Sequence, residues 1–370
     1  MKKEIAKLLI LATMLLGLPL LGVVFAGFPV QRYLEFPPHS RYVLHAPFSW
    51  YVFTGYALFI LFCAVPLIFM GFKNYTPIRI KPLPSHAFPW WGILGVFTGI
   101  ATWILAWTRF SWFIEFQPHT FTPLWLSYIL VINGFCRKRT GRCMMTGSPE
   151  FFLLLFPLSA GFWWFFEYLN RFVQNWHYTG IHFSSWEYFW HATLSFSTVL
   201  PAVMGTRDVM KTYSWIRPAF DNLNPVKCPN DKLLAGFALV ISGISLTGIG
   251  VWPNYLFSLL WVSPLIIIVS LQTLMGEKHI FSEMAAGHWS PVISAVAAAL
   301  FCGFFWEMWN YYSYPKWVYL IPFVDFGHIF EMPVLGYGGY LPFSMELFAL
   351  YHLVIGFTGR KKGWKYVDLA

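Results

Sequence analysis

The sequence predicts an all-α integral membrane protein, a polytopic bundle of about ten transmembrane helices. Three observations predict it. Apolar residues make up 57% of the 370 and charged residues only 11%, against roughly 25% charged in an ordinary soluble domain. Apolar runs long enough to cross a hydrocarbon layer of ~30 Å recur along the whole chain, without the alternation that a membrane β-strand needs. Basic residues, finally, crowd into every second connecting segment.

In chain order the expected spans are 6–28, 48–72, 89–108, 120–136, 151–169, 186–204, 233–251, 255–275, 291–312 and 340–358. The fourth is short, and the eighth carries Pro264. The first begins after Lys2 and Lys3 and offers Val24-Phe25-Ala26 as a signal-peptide cleavage site. Its apolar run of about 19 residues exceeds the usual core of 7–15, so a retained helix is expected. The whole chain, 1–370, reads as one membrane domain.

With the N-terminus in the cytoplasm, segments 1–7, 73–88, 137–150, 205–232, 276–290 and 359–370 lie inside and hold 20 of the 25 Lys and Arg. Only Arg32, Arg41, Arg109, Arg171 and Lys316 remain outside. This is the positive-inside pattern; both termini are expected in the cytoplasm and the protein in a bacterial cytoplasmic membrane. Runs such as Arg137-Lys138-Arg139 and Arg360-Lys361-Lys362 then serve as anchors toward anionic headgroups rather than nucleic-acid contacts. No cysteine falls in an outer loop, so no external disulfide framework is expected.

The acids behave differently. Glu4, Glu150, Asp208, Asp221 and the other inside acids read as ordinary cytoplasmic residues. Glu35, Glu115, Glu167, Glu187, Glu307, Asp325, Glu331 and Glu346 all fall at the outer side, together with His39, His45, His119, His177, His182, His191 and His328. Four of these carboxyl groups, Glu167, Glu187, Glu307 and Glu346, sit in strongly apolar sequence. An ionisable group inside a span is a functional candidate by default, and these four are the candidate catalytic residues.

Glu167 and Glu307 share a pattern. Each has Asn at i+3, Asn170 and Asn310, one turn away on the same helix face. Tryptophans precede them (Trp164, Trp306) and follow them (Trp176, Trp317). The copies have the same orientation four spans apart, which suggests a parallel internal repeat with units 151–204 and 291–358. Pro201 and Pro342 align by the same spacing but fall at opposite ends of their expected spans. The first span precedes the fifth by a similar distance, which would group the spans 4+4+2.

Outer segments 109–121, 170–190 and 311–340 are dense in Trp, Tyr, Phe and His. The last is also rich in Pro and Gly, so an irregular cap or re-entrant loop is expected. Rings and carboxyl groups beneath a cap suit a long apolar or cationic ligand, and Asn170, Asn310, Trp164, Trp306, Trp176, Trp317, His182 and Glu331 are the candidate binding residues. No nucleotide, hydrolase, metalloprotease or haem signature is present. His177, His182 and Glu187 lack a specific metal spacing, so neither a metal nor a cofactor is expected.

Residues 309–355, from Trp309-Asn310-Tyr311-Tyr312 through Leu341-Pro342-Phe343-Ser344-Met345-Glu346, resemble lycopene-cyclase-type membrane domains over about an eighth of the chain. Those domains carry a tryptophan–tyrosine stretch and then a proline–acid–acid motif entering a helix. Here a single acid, Glu346, follows Pro342 at a distance. The resemblance implies acid chemistry on an isoprenoid.

The function expected is therefore binding or transformation of a lipid or isoprenoid at an outer-leaflet site. A carboxyl group removed from water favours its neutral form, making Glu167 or Glu307 a proton donor with its Asn as orienting group. A proton-coupled transporter or channel using the same glutamates is the alternative. A nonenzymatic subunit of a membrane complex is the third. The partner expected in every case is the lipid bilayer.

Overall fold

A computed structural model describes residues 2–75, 86–213 and 215–358. In chain order its elements are α1 (Lys2–Ala12) and α2 (Leu18–Phe25), joined by a π-helical turn, α3 (Trp50–Lys73), α4 (Trp90–Trp107), α5 (Phe121–Thr140), α6 (Met144–Gly147) and α7 (Pro149–Val173). There follow β1 (Trp176–Thr179), α8 (Ser185–Ser197), α9 (Val199–Lys211), α10 (Ile216–Phe220), α11 (Asp231–Gly248), α12 (Pro253–Leu256) and α13 (Leu259–Leu274). The chain continues through α14 (Ser290–Tyr311), β2 (Lys316–Tyr319), β3 (His328–Ile329), β4 (Met332–Pro333) and α15 (Tyr340–Thr358).

Helix thus occupies each stretch expected to be a span, and the fold is all-α apart from two small antiparallel ladders. Among the described residues, six helical stretches are long and apolar enough to cross a membrane: Ala6–Phe25, Trp50–Lys73, Trp90–Trp107, Pro149–Val173, Asp231–Gly248 and Ser290–Tyr311. The sixth expected span is broken at Thr198 into α8 and α9. The segment between Tyr311 and Tyr340 holds β2, the β3–β4 hairpin and a 3-10 turn at Val334–Gly339. The anchor Arg360-Lys361-Lys362 lies outside the described residues.

Proline and glycine set several boundaries. Ser148-Pro149 opens α7 and Ser290-Pro291 opens α14, where proline's missing N–H is no loss and its fixed φ favours a helix start. Gly141 ends α5 at φ 78°, the left-handed conformation of a helix C-terminus. Gly22 lets α2 touch α11: a Cβ there would stand 1.7 Å from the Thr247 carbonyl oxygen.

Packing runs in hairpins. α4 lies along α5 and α11 along α13, while α14 packs between α9 and α15, and α7 against α8 and α9. One core cluster runs through these helices. α3 stands apart; Gly71 is its one buried residue, and it meets the bundle mainly through α10 and the 334–339 turn. One expectation is corrected at the end of the bundle opposite the ladders: α9 continues to Lys211 and buries Arg207 and Asp208, 5% exposed each. Asp208 is therefore not an ordinary surface acid. Arg207 Nε donates to Ser294 Oγ at 3.2 Å, and its guanidinium covers the Phe348 ring.

Candidate functional site

The site begins with the exits of α7 and α14. Asn170 Nδ2 donates to the Trp176 carbonyl at 2.8 Å, and Trp176 N donates back to Asn170 Oδ1 at 3.4 Å. Asn310 makes the same pair with Trp317, at 2.7 and 2.9 Å. Each asparagine thus folds the chain back from its helix end and fixes the start of a strand. The strands pair antiparallel, Trp176 opposite Tyr319 and Tyr178 opposite Trp317. Side chains two apart share a face, so these four rings point the same way and His177 and Val318 point the other.

That shared face cradles the carboxyl groups. Glu167 Oε1 accepts from Trp176 Nε1 at 2.9 Å and from the Tyr178 hydroxyl at 2.6 Å. Glu307 Oε1 accepts from the Tyr319 hydroxyl at 2.7 Å and from Tyr340 at 2.9 Å, and Trp317 Nε1 donates to the Tyr319 oxygen at 2.8 Å. Burial first, and then the facing carboxyl group, hold the Tyr178 and Tyr319 hydroxyls well above the ordinary phenol pKa. These phenols remain donors at any physiological pH. Both glutamates are buried, 6% and 0% exposed, and Glu307 Oε2 has no hydrogen-bond partner among the described residues.

The second layer is aromatic. Trp261 of α13 stacks on Phe166, the residue before Glu167, at 4.6 Å; Trp125 of α5 lies 4.8 Å from Trp306, the residue before Glu307. Both carboxyl groups line one cavity of about 1110 Å³, as do Asn170, Trp176, Trp306, Trp317 and His182. Along α14 its wall runs from Val292 to Glu307, about 22 Å at 1.5 Å per residue. Tyr56, Ile60 and Leu67 of α3 form part of the facing wall.

The remaining candidates do not line the cavity. Glu187 is an exposed helix cap: its Oε2 accepts from Ser184 N and Oγ at 2.9 and 2.8 Å, completing a capping box at the start of α8. Glu331 pairs with Lys316. Trp164 donates its indole N–H to Thr193 Oγ1 at 3.0 Å, and Asn310 spends its amide on the Trp317 backbone. Glu346 is buried within α15, 1% exposed, and neither carboxyl oxygen has a partner among the described residues. Among the described residues no cluster of three His, Cys, Asp or Glu is placed to hold a metal.

Sequence inspection missed the phenols. Tyr178, Tyr319 and Tyr340 are donors in the cradles; W-x-Y marks two of them at 176–178 and 317–319, but the same pattern recurs at 186–188, 309–311 and 364–366 and so does not single them out. It also missed a strap over the ladder end. Gln174, left-handed at φ 51°, accepts from Tyr42 N and Val43 N at 2.9 and 3.0 Å and donates to the Ser40 carbonyl at 2.8 Å. Asn254 ties down the next residues through Ala46 N and the Leu44 carbonyl. The strap carries Arg41 and His45 to the cavity.

Compared with protein-family models, with curated proteins and with solved structures, the chain matches none.

Proposed function

We propose that this protein spans a membrane ten times, with the ladder end outside, and binds and transforms a lipid or isoprenoid by proton transfer from its cradled glutamates. The observation that carries this reading is the shared cavity: two buried carboxyl groups, each fixed by two donors on one oxygen, open onto a single long chamber walled by apolar helices. In the proposed step a proton leaves Oε2 for the ligand, and the carboxylate left behind keeps the hydrogen bonds already aimed at Oε1.

We further propose that the chain is a tandem repeat arranged 2+4+4 rather than 4+4+2. α1–α2 and α3 stand outside it, and α4, α5, α7 and α9 correspond to α11, α13, α14 and α15. The support is in sequence and contacts together. Phe121-Thr-Pro-Leu-Trp125-Leu-Ser127 matches Phe257-Ser-Leu-Leu-Trp261-Val-Ser263, and Leu200-Pro201-x-x-Met204 matches Leu341-Pro342-x-x-Met345. Pro201 and Pro342 each fall in the first turn of a helix, α9 and α15. The ladder pairs Trp176-His177-Tyr178 with Trp317-Val318-Tyr319 as a local two-fold axis would.

The test is Glu167→Gln and Glu307→Gln in purified protein reconstituted with a lipid extract, followed by mass spectrometry of the lipids. Turnover is expected to fall at least about a hundredfold with an unchanged melting profile. Full conversion by the double variant would sink the reading. A transporter is favoured by one observation, that buried polar side chains continue toward the opposite end at Glu346, Arg207 and Asp208. It would show itself as altered pH dependence of solute flux into sealed vesicles carrying the same variants.

A further inference from the structure

The cavity has two chemically different ends. Its long part, between α3, α13 and α14, is apolar: Leu67, Val262, Leu265, Val292 and Val296 line it. Its wall also includes residues from both faces of β1, Trp176 and Tyr178 on one side and His177 on the other, so the space rounds the strand's free edge. Beyond that edge the lining turns basic, with Arg41, His45, His177 and the His39–His182 pair, whose rings are 5.9 Å apart.

The acids nearest this mouth, Glu35 beside His39 and Asp325 beside His45, are already paired elsewhere. Glu35 is held by Arg171 at 3.1 Å and by Ser40, Glu331 by Lys316, and Asp325 by His328 at 2.9 Å. Arg41, exposed on its strap, has no acidic partner among the described residues. His177 Nδ1 is buried without a hydrogen-bond partner among them. Burial first, and then the neighbouring Arg41 and His45, lower the His177 pKa to about 4; the part due to Arg41 reports a positive charge nearby. An anion would relieve it, and phosphate matches a guanidinium with adjacent imidazoles.

We infer that the basic mouth holds the headgroup of a lipid phosphate, whose single long chain rounds the edge of β1 past the two glutamates and fills the shaft beneath α3. This deepens the lipid reading above and rests on it. Placement of Arg41 is rigid, because Gln174 and Asn254 hold the backbone on both sides of it. α3 is so loosely packed along its middle that a chain can enter sideways from the bilayer.

The intact chain in nanodiscs, titrated with a long-chain isoprenyl monophosphate, the matching isoprenol and inorganic phosphate, tests the inference. The lipid phosphate is expected to bind at least about tenfold more tightly than the alcohol, the worth of one good charge-assisted contact. Arg41→Gln combined with His177→Gln should remove that advantage and leave alcohol binding unchanged. Inorganic phosphate should not displace the lipid at matched concentration. Equal binding of phosphate and alcohol, or a variant that keeps the preference, would overturn the headgroup assignment while leaving the lipid reading intact. Inorganic phosphate binding as tightly as the lipid would overturn it too, by making the chain irrelevant. Failure of both lipids to bind would overturn the lipid reading itself.

Discussion

The Glu167 and Glu307 halves meet across one ladder and solve the same problem with different donors. In the first, the tryptophan indole and the tyrosine hydroxyl of W-x-Y both reach the carboxyl group. In the second, Trp317 bonds instead to its own tyrosine, and Tyr340 of α15 supplies the second donor to Glu307. Glu307 is the more enclosed of the two. Above Glu167 the strand carries His177, while the opposing strand carries Val318. The difference teaches that the cradle is kept on both strands with different donors, whereas the residue behind it differs, His177 on one and Val318 on the other.

The largest expected effect tests whether the frames are equivalent. Asn170→Ala strands a buried N–H and carbonyl of Trp176, and Asn310→Ala part-buried ones of Trp317, at about 1–3 kcal/mol per orphaned group where burial is full. Asn310→Ala should cost more, because its second bond is 2.9 Å where that of Asn170 is 3.4 Å. Thermal unfolding in one detergent compares them. Equal losses would mean the second bond contributes nothing.

Next comes the contrast between buried acids. Glu307→Leu leaves the hydroxyls of Tyr319 and Tyr340 without their acceptor and should destabilise by about 2 kcal/mol or more. Glu346→Leu removes a carboxyl group with no partner to abandon, and should be neutral or stabilising. Loss of stability on Glu346→Leu as large as on Glu307→Leu would show that Glu346 has an acceptor or donor after all.

A smaller effect separates the halves by pH. His177 is neutral in the folded protein, with a pKa near 4 against 6.5 for the free side chain. Protons therefore bind the unfolded chain more readily, and stability that is complete above pH 6.5 declines as the pH falls toward 4. His177→Gln should flatten that decline in melting temperature, while Val318→Thr on the opposite strand should leave it unaltered. Smallest of all is Glu187→Ala, which removes a solvent-exposed cap; ligand affinity should not change and melting should shift only slightly.

Much of this was legible in the sequence. Apolar runs located the helices because a segment without backbone partners in lipid has to satisfy itself. The E-x-x-N pairs stood out because carboxyl and amide groups are rare in such runs. The role of the asparagines was not legible, since a backbone clamp and a ligand contact look alike until the chain's return is known. Glu187 looked like Glu167 by its tryptophan neighbour, yet it sits at a helix start, where Ser184 three residues earlier was the telling sign. The Phe-x-x-Leu-Trp-x-Ser match was harder to see because it lies at the starts of α5 and α13, helices that carry no acid to draw the eye.

The ladder ties the two acids to a common fate. Sliding one strand past the other by a single position would turn Trp176 and Tyr178, or Trp317 and Tyr319, to the wrong side, stripping a carboxyl group of its donors. The partner strand could not hold its own place against a displaced neighbour. Damage to either strand should therefore disturb both carboxyl groups together, and a variant that disorders only one cradle should be hard to obtain.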